Sequence, residues 1–426
     1  MKKHILLVNI FLCCILLFSA CSYNETNMQN SNSLNDDIDI WQEYVDNKKN
    51  PLSNTQEINA HSVVNVAINS CLKVYTFFKS HGAIYKENLS SSTGDYTACL
   101  CGSGVIFNVE KDYTYILTNY HVVYNENSVD KNKIFFSACG YVYGREAYPT
   151  LTNTYLDESK KYQRYDWGED GIELEYVGGL ATYDLAILKC KTPDILSKNK
   201  NIQPIVLDTS HKIGDWVFAI GNPQNEGLSA TSGIISVENE YISLAIGGKT
   251  RTYRSIRTDS SIYSGSSGGG LFNTSGKLVG ITNAGDGDSE NINYAIPSQI
   301  VSNFIDYFNY DKTNFSPKKL VLGITIKTNP QQIYDSNLNL WLLIDKLLVK
   351  SVEKGSVAEK IGLTADDIIS KITIDNNSYE LTKVYQLSEA LMQCHENSPV
   401  SLDILREGNA IQLQHTILAN DLVTID

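Results

Sequence analysis

One run constrains this chain more than any other: Ser264-Gly265-Ser266-Ser267-Gly268-Gly269-Gly270, set between apolar segments. Glycine lacks a Cβ, so it lets a backbone turn sharply and come close to a ligand, and a row of glycines makes a poor helix or strand. On its own the heptapeptide also fits a flexible Gly/Ser loop. The flanks argue otherwise. Ile262 precedes it, and Leu271-Phe272 and Lys277-Leu278-Val279-Gly280-Ile281 follow, so the loop lies between buried strands. If Ser267 is held out on such a turn, its own amide and that of Gly265 can point at one spot, an arrangement that stabilises an oxyanion.

A serine hydroxyl is a weak nucleophile. It needs a base, and the base needs an acid to orient it. Of seven histidines, only His121 ends a strong strand, Tyr113-Thr114-Tyr115-Ile116-Leu117-Thr118-Asn119-Tyr120-His121-Val122-Val123. Only Asp184 opens an uninterrupted apolar run, Tyr183-Asp184-Leu185-Ala186-Ile187-Leu188, where an unpartnered acid is costly to bury. Singly, each has an ordinary reading: a structural histidine and a turn aspartate. Together, in the order His, Asp, Ser, they point to nucleophilic catalysis. The loop also fits the Gly-x-Ser-x-Gly esterase elbow at Gly265, Ser267 and Gly269. That fold brings its histidine after the serine, and here the later His395 and His415 fall in a second domain.

At 426 residues, two domains are expected. A net charge of −13 argues against nucleic acid as a partner, because phosphate binding needs clustered Lys and Arg. Lys2-Lys3, an apolar run from Ile5 to Phe18, then Ser19-Ala20 and Cys21 resemble a bacterial lipoprotein signal, with cleavage before Cys21 and lipid on its sulfur. An ordinary secretory signal and an uncleaved anchor are the other readings, and all of them export the domains. Residues 22 to 58, rich in Asn, Ser and Asp, read as a disordered tether. Beyond the leader and Cys21 remain Cys71, Cys99, Cys101, Cys139, Cys190 and Cys394. Disulfides and buried free thiols are both open, and the spacing does not resemble a zinc site. No cofactor or metal is implied.

Along the chain, short strands alternate with turn residues and helix is scarce, which predicts a mainly β fold with a pair of β-barrels. Strands are expected at Leu72 to Phe78, Cys99 to Val109, Tyr113 to Asn119 and Lys133 to Tyr143. His81 to Ala98, polar and serine-rich, reads as a loop, and residues 145 to 178 as an acidic, tyrosine-rich insertion. Thr231 to Val237 and Tyr241 to Ile246 read as a hairpin, with Gly247-Gly248 as its turn. Ser298 is placed to cap a helix running to Phe308, with Ile300, Phe304, Ile305 and Phe308 on one side.

At several of these segments the chain resembles the trypsin-like serine proteases, specifically the HtrA/Deg family with a C-terminal PDZ domain. The matching residues are Gly102-Ser103-Gly104-Val105-Ile106, Thr118 to Val123, Asp184 to Lys189, Gly221-Asn222-Pro223, Thr231 to Ser236, Gly265 to Gly269 and Tyr294 to Ser298. The resemblance implies a double β-barrel protease domain over residues 59–311, a linker at 312–319 and an α+β PDZ domain at 320–420. It implies His121 as general base, Asp184 as its orienter, Ser267 as nucleophile, and the amides of Gly265 and Ser267 as the oxyanion hole. Ser261, six residues before the nucleophile, would lie at the base of the specificity pocket, with Ile281, Thr282 and Asn283 lining the approach. A neutral, small Ser261 predicts cleavage after small or medium apolar residues.

Leu322-Gly323-Ile324 would form the carboxylate-binding loop of a PDZ groove that takes hydrophobic peptide C-termini; a closed groove on a small α+β domain is the alternative. Asp366 stands where the family usually has glycine. The family also implies quality control of exported proteins, polypeptide substrates and often a homotrimer. Ser266 and Ser264 replace the usual asparagine and proline beside the nucleophile. A second reading follows from that departure: a catalytically weak, membrane-tethered peptide-binding protein.

Overall fold

The computed structural model describes residues 59–85, 91–145, 147–285, 291–312, 315–335 and 340–425. The leader, Cys21 and the tether lie outside the described residues. The chain is mainly β, in two barrels followed by a smaller α+β unit.

A short helix, α1 (Ala60–Ala67), leads into the first barrel, with the Asn59 side chain accepting from Ser62 N at its start. The strands follow as β1 (Cys71–Tyr85), β2 (Ser91–Val109), β3 (Tyr113–Thr118), β4 (Ser137–Val142), β5 (Thr150–Tyr155), β6 (Gln163–Asp166), β7 (Ile172–Glu173), β8 (Glu175–Leu180) and β9 (Leu185–Lys191). The main sheet runs β7-β4-β1-β2-β3-β9-β8, while β5 and β6 pair with each other. Leu174 alone separates β7 from β8, so the two ends of the sheet are joined through the chain and the sheet must roll. Leu72, Val74, Ile106, Ile116, Ala186 and Leu188 fill the roll.

The second barrel is closed, β10-β11-β12-β15-β14-β13, from β10 (Trp216–Gly221), β11 (Ser229–Ile246), β12 (Lys249–Thr258), β13 (Gly270–Asn273), β14 (Leu278–Gly285) and β15 (Asn293–Pro297). Val217, Ile235, Ile256, Leu271 and Val279 form its core. A larger apolar cluster joins the barrels, with Leu117 and Ile187 from the first, Ile220, Phe272 and Ile281 from the second, and Phe304 and Phe308 from the helix that closes them.

Three local expectations are corrected. The described parts of His81 to Ala98, residues 81–85 and 91–98, are not a loop: they are the outer part of the β1–β2 ribbon, with Tyr85 opposite Ser91. The ribbon's backbone groups pair with each other, so its side chains need no apolar alternation. The two strands expected around Glu238-Asn239-Glu240 are one, β11. Its register shifts between Ile235 and Val237 and again between Val237 and Glu240, and bulges take up the polar residues that imitated a turn. The turn at Gly247-Gly248 is as expected, both glycines at positive φ, and it leads into β12. Ser298 does not cap its helix either. Pro297 holds the cap position, and Ser298 Oγ donates to the Asp208 carbonyl at 2.5 Å. The helix itself spans Ser298–Tyr310 and buries Ile300, Phe304 and Phe308 as expected, while Ile305 is only half-buried.

The C-terminal unit contains β16 (Lys318–Leu320), β17 (Ile324–Asp335), β18 (Leu340–Val352), β19 (Ile368–Ile374), β20 (Asn377–Glu380), β21 (Pro399–Arg406), β22 (Asn409–Thr416) and β23 (Leu422–Thr424). Its main sheet runs β17-β18-β19-β21-β22, around a core that includes Leu347, Ile372 and Leu402. Because β16 pairs with β23, the unit starts inside the stretch read as a linker and runs past residue 420. Its two α-helices are Val357–Lys360 and Val384–Ala390. Asp366 sits at φ +72°, the left-handed region that glycine takes without strain.

Candidate active site

The Ser264–Gly269 loop joins β12 to β13 and is held from below by backbone contacts too close for side chains. A Cβ on Gly265, at φ +94°, would lie 2.3 Å from the Asn222 carbonyl oxygen, and one on Gly268, at φ +87°, would lie 2.2 Å from that of Ser103. The carbonyls from Ser264 to Ser267 each have a donor. Gln224 N donates to Ser264 O at 2.7 Å, Ser103 Oγ to Gly265 O at 2.8 Å, Thr282 Oγ1 to Ser266 O at 2.6 Å and Ser103 N to Ser267 O at 2.7 Å. Ser103 Oγ in turn accepts from Asn222 N at 2.8 Å. Among the described residues, the N–H groups of Gly265 and Ser267 have no acceptor, which leaves a pair of donors available to one anion.

His121 and Asp184 belong to the first barrel. Strand β3 ends at Thr118, and a single helical turn, Tyr120–Val123, presents His121. Asp184 precedes β9 in a left-handed conformation, φ +54°. Its main-chain carbonyl accepts from Tyr120 N at 3.1 Å and Asn119 Nδ2 at 3.0 Å, which locks the two segments together. Its fully buried carboxylate accepts from His121 Nδ1 at 2.7 Å through Oδ2 and from His121 N at 2.9 Å through Oδ1. Burial pulls the imidazole pKa down, but the charge and hydrogen bond of Asp184 outweigh it and raise it above the ordinary 6.5. With Nδ1 engaged on the carboxylate, Nε2 is the nitrogen left to exchange a proton.

Asn283, on β14, links the two barrels' contributions. Its Nδ2 donates to Asp184 Oδ2 at 2.6 Å, and its main-chain carbonyl accepts the Ser267 hydroxyl at 3.0 Å. The structure thus brings His121 and Asp184 into direct contact and ties Ser267 to them through Asn283. That hydroxyl has no other hydrogen-bond partner among the described residues, so a rotation about its Cα–Cβ bond precedes any donation to the imidazole. Asn119, Ser103 and Asn222 sit within segments that the sequence singles out, but their supporting contacts bring together positions up to 162 apart, which no motif encodes.

The other expected positions fall as follows. Ser261 is half-buried on the same connection as Ser267, and its carbonyl accepts from Thr231 Oγ1 at 2.8 Å. The side chains of Ile281, Thr282 and Asn283 are buried: Ile281 packs in the inter-barrel cluster, and the other two make the bonds given above. In the C-terminal unit, Leu322, Gly323 and Ile324 line a groove of about 300 Å³, facing Val384 and Leu387 of the second helix and Leu391 just after it. The 145–178 insertion packs on the outer face of the first barrel. There Tyr165 lies 4.6 Å from Phe77, centroid to centroid, and Tyr141 donates to the Trp167 carbonyl at 2.7 Å.

Beneath the insertion, Cys101 and Cys139 lie opposite Tyr75 on its two neighbouring strands. Two strand spacings put them roughly 9–10 Å apart, beyond disulfide reach. Cys71, Cys99, Cys101, Cys139, Cys190 and Cys394 are all free thiols. Burial pushes Cys99 up to about 12 and Cys101 to about 11, so neither is poised as a thiolate. Among the described residues, no group of three or more His, Cys, Asp or Glu is placed to hold a metal ion.

Two barrels, with a His–Asp pair on the first and a serine on a glycine loop of the second, define the trypsin-like protease fold. Residues 102–281 match the family model described as trypsin-like peptidase domain. The chain is similar to the Serine protease Do-like HtrA of Bacillus subtilis (strain 168), 30% identical over 298 residues, covering 68% of this chain and 58% of that protein. It is also similar to the Serine protease Do-like HtrA of Lactococcus lactis subsp. cremoris (strain MG1363), 27% identical over 377 residues, covering 83% of this chain and 82% of that one. Among solved structures, "HtrA-type protease AlgW with tripeptide" aligns with a TM-score of 0.51 at 23% identity, covering 85% of this chain and 96% of that chain, a likeness of fold.

Proposed function

We propose that this chain is an exported serine endopeptidase of the HtrA type with a C-terminal PDZ domain. The observation that carries the reading is the buried Asp184 carboxylate, which holds His121 by both its ring Nδ1 and its main-chain N–H while Asn283 connects it to Ser267. In this mechanism His121 Nε2 takes the Ser267 proton as Oγ adds to a peptide carbonyl. The carbonyl oxygen becomes an oxyanion and falls to the amides of Gly265 and Ser267. The imidazolium then protonates the departing amine, and water repeats the sequence on the acyl-enzyme. Asp184 holds the imidazole through Nδ1 and fixes its tautomer.

A neutral Ser261 favours cleavage after small or medium apolar residues, and a peptide library cut equally well after Arg would overturn that preference. The groove lined by Leu322-Gly323-Ile324 would add a peptide C-terminus as a strand beside β17. Lipid on Cys21 would anchor the protein to a bacterial membrane, with its domains extracytoplasmic and exposed or misfolded polypeptides as substrates; a homotrimer is the assembly that the resemblance favours. One observation supports conditional activity, the feature shared with the peptide-binding alternative: Ser267 Oγ rests on the Asn283 carbonyl.

Fluorophosphonate labelling followed by mass spectrometry of the modified residue tests the central reading. Wild type should be labelled at Ser267, and Ser267→Ala should lose both labelling and peptide hydrolysis while staying folded. Hydrolysis surviving in Ser267→Ala, or abolished by Ser266→Ala instead, would place the nucleophile elsewhere.

A further inference from the structure

Strand β12 carries a tyrosine, Tyr253, whose side chain is 2% exposed and lies in the apolar cluster between the barrels. A phenylalanine would fill the same space without burying a hydroxyl, and burying an unanswered hydroxyl is unfavourable. Among the described residues it is answered by one contact: Tyr253 Oη accepts from Asn283 Nδ2 at 2.7 Å. The second N–H of that carboxamide goes to Asp184 Oδ2 at 2.6 Å. The amide's own oxygen, Oδ1, is buried with no partner among the described residues. Two N–H bonds, one to a carboxylate and one to a phenol oxygen, are therefore all that set the rotation of the Asn283 side chain. The phenol keeps its proton at any working pH, since burial and then the neighbouring Asp184 charge push its pKa well above the ordinary value.

The strand offers a rigid mounting. Arg254, the next residue, points to the opposite side and binds Glu389 at 2.6 Å.

We propose that Tyr253 is a positioning residue: through the Asn283 carboxamide, its phenol oxygen fixes the Asp184 carboxylate against His121. This rests on the proteolytic role given above to His121 and Asp184. Without the phenol oxygen, one Asn283 N–H is buried without an acceptor, and the amide is held by a single bond about which it can swing. Asp184 then loses part of its third donor and keeps the two from His121. Its negative charge, less spread into the asparagine, acts more strongly on the imidazole. Asp184 is the one charged group acting on His121 among the described residues, so such a change has no competing source.

The test is Tyr253→Phe, alone and combined with Asn283→Ala, in the full chain. NMR titration of the His121 imidazole, assigned with His121→Ala, needs no turnover. Tyr253→Phe should move that titration to higher pH, and Asn283→Ala should do the same. Once the asparagine is gone, Tyr253→Phe should add nothing, because its only route to Asp184 has been removed. In peptide hydrolysis, kcat should fall about tenfold, as for other groups that orient a functional side chain from behind, with KM unchanged.

An unmoved His121 titration in Tyr253→Phe overturns the proposal, and so does an equal shift in the Asn283→Ala background. If wild type shows neither peptide hydrolysis nor fluorophosphonate labelling while the His121 titration still shifts as expected, the protease assignment fails and the positioning role stands.

Discussion

At the scale of single residues, the proposed mechanism depends on the charge state of His121. Proton abstraction as proposed requires the neutral imidazole, and Asp184 raises its pKa above 6.5. Hydrolysis should therefore be weak at pH 6 and should rise through a midpoint above 6.5 in a kcat/KM profile; a midpoint at or below 6.5 would contradict the Asp184 pairing. Stability runs the other way. The pKa is raised on folding, so the charged pair's contribution is complete below the unfolded value and is lost as pH climbs through the folded one. Thermal melts of Ser267→Ala, which cannot digest itself, should show that loss, and Asp184→Asn should remove it. The same Asp184→Asn should cost about 10⁴ in kcat, because the imidazole loses the acceptor that fixes its tautomer. A loss below tenfold would count against the role given to Asp184.

At the scale of elements, what was legible in the sequence follows from how local its cause is. The glycine loop declared itself because Gly265 and Gly268 need positive φ and the absence of a Cβ, demands that sit within seven letters. Asp184 was readable because an acid heading a buried strand needs a partner. Asn283 was read only as lining an approach, since one asparagine in a strand gives no sign that its two faces reach Asp184 and Ser267 from 99 and 16 positions away. The β11 bulges and the β1–β2 ribbon escape a reading of composition for a related reason: backbone pairing satisfies polar stretches that composition alone assigns to turns and loops.

The loop's geometry gives its own prediction. In Gly268→Ala the new Cβ would meet Ser103 O at 2.2 Å and Thr118 Oγ1 at 2.4 Å, at a φ of +87°. The loop must lift, moving the Ser267 amide out of line with that of Gly265. A misplaced donor of this kind costs about 10²–10³ in turnover. The fluorophosphonate labelling rate should fall by that order with the circular dichroism of the barrels unchanged, and near-wild-type labelling would show that the cradle is softer than its contacts imply.

At the scale of the whole molecule, one helix serves two surfaces. Val384, Leu387, Ser388 and Leu391 face the groove beside Leu322-Gly323-Ile324, while Glu389 faces the second barrel. There its carboxylate grips Arg254 with two bonds, Oε1 to Nε at 2.6 Å and Oε2 to Nη2 at 2.9 Å, both side chains being almost fully buried. Tyr385 stacks on the guanidinium at 4.3 Å, and Asn303 Nδ2 donates to the Glu389 carbonyl at 2.9 Å. The two surfaces should separate by mutation. Leu387→Asp puts a charge into the groove and should abolish binding of a peptide with an apolar C-terminus, read by fluorescence anisotropy, while short-peptide hydrolysis stays within twofold. Glu389→Ala should do the reverse to the architecture. It strands a buried guanidinium, which costs about 3–5 kcal/mol when a buried pair loses one member. That penalty falls on the docking of the C-terminal unit rather than on its own core of Leu347, Ile372 and Leu402. Calorimetry of Glu389→Ala should therefore resolve the C-terminal unit as a separate transition, and Glu389→Gln, which keeps the shape and part of the hydrogen bonding, should lie between the two. If Glu389→Ala instead melts as wild type does, Arg254 finds water where the structure shows a closed interface, and the two units are joined by less than this contact implies.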